Sequence, residues 1–370
     1  LSVRDFYISE DKLFPGLIVG ALLIESIFPA FAFVKYLIPG IVLFLGLSRA
    51  RSYPLLVEKK IGQNFFIIVC MILYSFSSLA IRGQNFYSRF FVESFLMLAP
   101  LVALSFWNIR NNQERILKTC IYGCIVAYAV QVVYNLQTMG FVSLSEALRD
   151  SYMPTETGYI AFVFGLFFVH CFYNDKRKLL LLGVLVFLSF KRINFVAIPA
   201  ALLMTAFLGR FNFKRIALIA VGINGLLILL LHNFFMGNLD DFIIEKFNMS
   251  PNVLSMGRQT ILSTVNDYLK DSAGLGIGLG KSVDLLSNSI QIEGINNLHS
   301  DLIKIYIEFG ILVFCIWIYS LYRINATSKA GLALTIYLNL LFITDNVSVY
   351  FFVMIIFYYL STINSTEKYV

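Results

Sequence analysis

Reactive side chains are concentrated in one interval of this chain, from Met256 to Gly310. It opens with Gly257-Arg258 and passes through Gly274-Leu275-Gly276-Ile277-Gly278-Leu279-Gly280. It closes with Asn296-Asn297-Leu298-His299-Ser300 and then Glu308-Phe309-Gly310. The interval is the longest polar stretch in a sequence that otherwise reads as apolar helix, and it holds one of only three histidines. Arginine offers a permanent planar cation that pairs with phosphate through two parallel bonds. Histidine titrates near neutral pH and can take a proton from a hydroxyl. Backbone N–H groups in a glycine-rich turn can hold an anion. Anion binding or catalysis is therefore expected here.

Each of these residues also has a plainer reading. Ile261, Leu262, Val265, Tyr268 and Leu269 recur at helical spacing, so 257–270 is expected to be a helix capped by Gly257. Arg258 then stands in the first turn, as an anion ligand or as a solvated surface residue. Gly280-Lys281-Ser282 looks like the end of a phosphate loop, but the position that must be the first glycine is Leu275. No strand precedes it, and a nucleotide site is not expected. The glycines would instead let the backbone pack closely against helices or a substrate. His299 comes just before an apolar run beginning at Leu302, beside Asn297, Ser300 and Asp301, as a base or as a capping group. Lys191-Arg192 interrupts the apolar run Leu179 to Leu208, as a tight turn with snorkelling side chains or as a buried anion site. Glu25, Lys35 and Glu93 lie in or beside apolar runs, where pairing of Glu25 with Lys35 is expected. The five cysteines lie inside apolar runs; Cys120 and Cys124 share a helical face, but no His or carboxylate joins them at ligand spacing, which fits core filling and neither metal nor disulfide.

The elements that carry these residues follow from composition. Of 370 residues 58% are hydrophobic and 14% charged, and the mean hydropathy is +0.77. A soluble domain is about a quarter charged. The expectation is an all-α, polytopic helical membrane protein, residues 1–370 forming a single integral membrane domain. About twelve spans are expected, near 14–29, 31–48, 61–80, 89–107, 116–136, 155–173, 179–190, 193–209, 214–235, 302–322, 330–343 and 347–363. Several fall below the about 20 residues of a full crossing, and 179–209 reads as a broken or re-entrant pair. The polar opening Leu1 to Lys12 does not resemble a cleavable signal peptide. The net charge of +7 is better assigned to orientation than to nucleic acid. With the N-terminus inside, the inner segments carry 18 Lys and Arg and the outer ones 10. By the positive-inside rule this puts 236–301 outside the membrane as one large periplasmic loop, and both termini in the cytoplasm.

Taken together, Gly257-Arg258, the Gly-x-Gly run, His299 with Gly310 eleven positions on and Glu308 two before that glycine resemble the O-antigen polymerase and O-antigen ligase superfamily. Lys191-Arg192 fits its other basic element. The likeness covers roughly 185–345. Leu262, Ser272-Ala273 and Val196 depart from the family's usual Trp, Pro and Leu. The resemblance implies a metal-independent, cofactor-free glycosyltransferase of the bacterial inner membrane, with its active site facing the periplasm. The polymerases of this superfamily join undecaprenyl-pyrophosphate-linked oligosaccharides, and its ligases move the finished glycan onto lipid A–core. Membrane lipid and a chain-length regulator protein would be partners, with no nucleic acid. The resemblance gives Arg192 and Arg258 the role of stabilising the departing pyrophosphate, with Lys191 and Lys281 helping. His299 would orient or deprotonate the acceptor hydroxyl, and Asn297 and Glu308 would bind substrate. A transporter of lipid-linked sugars is the reading from a different class; it would line a path through many spans with charges.

Overall fold

The computed structural model describes residues 10–50, 57–83, 86–107, 112–139, 158–255, 257–270, 274–288 and 298–364. Among them the regular structure is all helical. In order the helices are α1 (Glu10–Ile27), α2 (Leu37–Ala50), α3 (Lys59–Ile81), α4 (Ser88–Ser105), α5 (Gln113–Met139), α6 (Gly158–Asn174), α7 (Leu179–Leu188) and α8 (Arg192–Leu208). Then come α9 (Phe213–Phe235), α10 (Asp240–Phe247), α11 (Pro251–Leu254), α12 (Arg258–Lys270), α13 (Lys281–Asn288), α14 (Asp301–Asn325), α15 (Lys329–Thr344) and α16 (Phe351–Ile363). Short 3₁₀ turns at Pro29–Tyr36, Lys176–Lys178 and Val347–Val349 join some of them.

Among the described residues six helical segments are long and apolar enough to cross a bilayer: Pro29–Leu47, α3, α4, α5, α9 and α14. Four more apolar helices, α6, α8, α15 and α16, are shorter, at 17, 17, 16 and 13 residues. The twelve spans expected thus stand at six by length and composition. The shorter helices form the centre: every residue of α16 from Phe351 to Thr362 is buried, and α15 is buried from Ala330 to Asn339. A helix apolar on all sides is buried in protein or in lipid, and these two are buried in protein.

The bundle has two chemically distinct ends. At one, α14 begins, and Lys304 on α14 meets Glu93 on α4. At the other, Lys60 on α3 donates to the carbonyls of Asn325 (3.4 Å) and Ser361 (2.9 Å), which close α14 and α16. That ammonium sits where two helix dipoles end in partial negative charge. Lys35, Arg82, Arg89, Lys191 and Lys281 belong to the first end, here called the loop end; Lys60, Lys178 and Lys329 belong to the far end. This matches the grouping read from the sequence. Glu25 and Lys35 pair at 2.7 Å, as expected.

The 179–209 region is a hairpin. Helix α7 starts at the far end, where Asn174 donates to the Asn364 side chain (3.0 Å), and it has only ten residues. At 1.5 Å per residue it rises about 15 Å, half of a bilayer core. Phe190, at φ +48°, then turns the chain, and α8 returns to the far end.

Candidate active site

The glycine run is built into the membrane helices. Helix α14 breaks at Gly310 (φ +79°, ψ 171°), which leaves carbonyls without their usual helical donors. The run supplies them: Ile277 N–H donates to the Ile307 carbonyl and Gly278 N–H to the Glu308 carbonyl, both at 2.9 Å. Irregular backbone among membrane helices persists where other protein groups satisfy it. The approach is close enough to require glycine. A Cβ on Gly276, already at φ +78°, would collide with the Glu308 carbonyl, and one on Gly310 with the Gly274 carbonyl. From the other side α3 and the turn after it grip the run. Tyr74 donates to the Leu275 carbonyl (3.1 Å), Arg82 to that of Gly276 (2.6 Å) and Tyr87 to that of Leu279 (2.8 Å). The Leu279 N–H donates to Ser75 Oγ (2.8 Å).

At the end of the run, the start of α13 is the anion-binding turn that Gly280-Lys281-Ser282 suggested. The anion is the protein's own: Ser282 N–H (3.3 Å) and Oγ (2.5 Å) both donate to Glu308 Oε1. Glu308 is 1% exposed, so it braces the loop from within. Its Oε2 has no hydrogen-bond partner. One helical turn earlier on the same face, the buried Lys304 ammonium donates to Glu93 Oε2 at 2.7 Å. Lys304 also lies in the field of Glu308 and Asp301. Lys281, by contrast, is half-buried and faces outward, 2.8 Å from Asp284 and 5.0 Å from the centre of the Tyr87 ring. Burial pushes the Tyr87 phenol well above its ordinary pKa, Glu308 and Asp284 add to this and Arg82 opposes it, so Tyr87 stays a neutral donor.

His299 is presented by strain. It is exposed between the buried Leu298 and Ser300, in the left-handed region at φ +51°, a conformation rare outside glycine and concentrated at functional sites. Ser300 caps α14, its Oγ accepting from the Ile303 N–H (3.4 Å) and donating to the Phe342 carbonyl (3.1 Å). The Asp301 carboxylate turns inward to accept from Ser348 N–H (2.6 Å) and Oγ (2.5 Å). It is therefore spent on holding α14 to the turn before α16. The Asp301 N–H donates to the Asp345 carbonyl (3.2 Å).

Gly257 precedes α12 and Arg258 is its first residue, as the spacing predicts. Ile261, Leu262 and Val265 form its buried face. Gln259 ties the helix start to the end of α9 and the start of α10, donating to the Phe234 carbonyl (3.0 Å) and to Asp240 Oδ1 (2.7 Å). The side chain of Arg258, and all of Asn297, lie outside the described residues. Lys191 and Arg192 crown the α7–α8 hairpin. The Lys191 ammonium is 5.3 Å from the centre of the Phe162 ring, a cation–π contact; Phe162 stacks on Tyr350 (6.4 Å between centres) at the start of α16. Arg192 is exposed. Asn194 fixes the hairpin, donating to the Ala161 carbonyl (2.8 Å) and accepting from Tyr337 Oη (2.8 Å).

Lys191, Arg192, Lys281 and His299 thus lie toward the loop end on different elements, with Glu308 beneath the surface. Sequence reasoning missed the roles of Arg82 and Tyr87 and the partnership of Lys304 with Glu93. Two opposite charges inside apolar helices were a usable signal for that pair. Among the described residues no group of three His, Cys, Asp or Glu side chains could hold a metal ion.

An all-helical bundle with several membrane-crossing helices and cations at the end where its polar segment docks makes this a polytopic membrane protein. Residues 178–318 match the family model described as O-antigen ligase, which bears out the resemblance seen in the sequence. The matched segment holds Lys191, Arg192, Arg258, Lys281, His299 and Glu308 and leaves the first 177 residues outside it. The match supports a function of the O-antigen ligase and polymerase type. No curated protein matches the chain.

Proposed function

We propose that this protein is a metal-independent glycosyltransferase that joins undecaprenyl-pyrophosphate-linked oligosaccharide units on the periplasmic face of the inner membrane, as an O-antigen polymerase. The observation that carries the reading is His299, held outward by a left-handed backbone at the same end as the Lys191-Arg192 turn, within a segment that matches this family. The acceptor hydroxyl attacks the anomeric carbon of the donor sugar. The bond to the donor pyrophosphate breaks, and the pyrophosphate leaves with the electron pair. Arg192 and Arg258, helped by Lys191, stabilise that charge, which suits a permanent planar cation. His299 orients the hydroxyl and takes its proton; with Asp301 committed to Ser348, that carboxylate does not act as its partner. Glu308 serves the site indirectly, by holding the start of α13.

A ligase moving the glycan to lipid A–core is the second reading, favoured by the description of the matching family. Purified protein in liposomes, given a defined lipid-pyrophosphate oligosaccharide with and without lipid A–core, separates the two. A ladder of products on the polyprenyl lipid supports the polymerase, and product only on lipid A–core supports the ligase. His299→Ala should lower the rate by about 10²–10⁴-fold at a normal protein level. A folded His299→Ala protein working at close to the normal rate would remove His299 from the mechanism.

A further inference from the structure

Two cations, Arg82 and Lys281, lie beside Tyr87, and a third, Arg89, stands two residues further along the chain. Arg82 closes α3. Its guanidinium donates only to neutral oxygens, those of Ser78 and the Gly276 carbonyl. Arg89, in the first turn of α4, is half-buried and has no hydrogen bond or ion pair among the described residues. It lies four positions before Glu93, on the same face of the helix. That face looks onto the start of α13, since a Cβ on Gly280 would stand 2.9 Å from the Arg89 carbonyl oxygen and 3.2 Å from Glu93 Cγ. Lys281, the next residue, lies over the Tyr87 ring. Asp284, on Lys281, is the carboxylate of this patch. The carboxylates beneath are committed elsewhere, Glu93 to Lys304 and Glu308 to Ser282. Two half-buried guanidinium groups that form no ion pair among the described residues suit a phosphate ligand, which both can grip by their planar forks.

The proposed reaction needs such a second site. Joining two lipid-linked units brings two pyrophosphates to the enzyme, and only the donor's is cleaved. The acceptor's pyrophosphate keeps its charge and its bonds throughout. We infer that Arg82, Arg89 and Lys281 bind the pyrophosphate headgroup of the acceptor lipid, apart from the donor site at Lys191, Arg192 and Arg258. This rests on the transferase reading above. A group that binds the acceptor equally in the ground and transition states changes KM and leaves kcat alone. The patch is therefore kinetically distinguishable from the donor site, where charge develops during the reaction.

The test uses the full-length protein in lipid nanodiscs. Binding of sugar-free undecaprenyl pyrophosphate is counted by native mass spectrometry, and transfer is followed with donor and acceptor concentrations varied separately. The variant is Arg89→Gln; Arg82 is kept because it also holds the Gly276 carbonyl, and Lys281 because the family resemblance gives it a part at the donor. The wild type should take two lipids and the variant one. The acceptor KM should rise at least about tenfold, the loss of one or two charge-assisted bonds, with kcat within about twofold. Arg192→Gln should instead lower kcat, and Arg89→Lys should restore part of the acceptor binding. One lipid per wild-type chain, an unchanged variant, or displacement of the second lipid by equimolar phosphatidylglycerol would overturn the assignment. A wild type that binds two lipids, loses one in the variant and transfers no sugar would keep the site and sink the transferase reading.

Discussion

Replacing Lys304 by Met tests whether the loop end is held together electrostatically. The Lys304–Glu93 pair spans 2.7 Å, and its side chains are 4% and 5% exposed. At an effective dielectric of about 20 the attraction across that distance is about 6 kcal/mol. Desolvation of both ions consumes much of it, so the pair is worth far less than this against an apolar replacement. Breaking one side is another matter. Lys304→Met leaves Glu93 buried without a cation and removes the positive field from Glu308, whose Oε2 already lacks a partner. The expected loss is about 3–5 kcal/mol, a large part of a stability that is typically about 5–15 kcal/mol. The double variant Lys304→Met with Glu93→Leu should recover most of it, and the remainder measures the Lys304 field on Glu308. Unfolding of the purified protein in mixed micelles, over the full double-mutant cycle, gives these energies. A Lys304→Met protein within about 1 kcal/mol of the wild type, or a double variant no better than the single one, would refute the reasoning.

Gly276→Ala should abolish transfer and lower stability by several kcal/mol, because the new methyl meets the Glu308 carbonyl at a backbone angle of φ +78°; activity and thermal unfolding of the purified variant read both. Reporter fusions should place Asn288 on the opposite side of the membrane from the Lys176–Lys178 turn, with Asn288 outside the cytoplasm. A cytoplasmic signal at Asn288 would remove the periplasmic mechanism.

What was legible in the sequence was local. The apolar face of α12, its start at Arg258 and the interruption at Lys191-Arg192 all follow from spacing within a few residues. Even the anion-binding character of Gly280-Lys281-Ser282 could be read, although not that the anion is Glu308, 26 residues on. The rest depends on contacts between distant segments. Arg82 meets Gly276 across 194 positions, with nothing in either neighbourhood to specify the partner, and Lys304 meets Glu93 across 211, where only their opposite charges within apolar helices gave a sign. The count of spans differed for a related reason. Hydropathy registers apolar length, and α15 and α16 are apolar because protein surrounds them.

The seam between the glycine run and the broken α14 also sets an order of assembly. During synthesis α3 and α4 are complete more than 160 residues before Gly274 emerges, so Tyr74, Ser75, Arg82 and Tyr87 stand ready as one wall of a slot. The other wall is the stretch from Ile307 to Gly310, which does not yet exist when the run leaves the ribosome. The glycines have no side chains with which to hold themselves in place, and closing so long a loop has an entropic cost. They can be fixed only when α14 enters the bundle and offers its unpaired carbonyls. A nascent chain halted before Gly310 would carry the whole glycine run yet lack the carbonyls of Ile307 and Glu308 that hold it, so this seam closes only after α14 has been made.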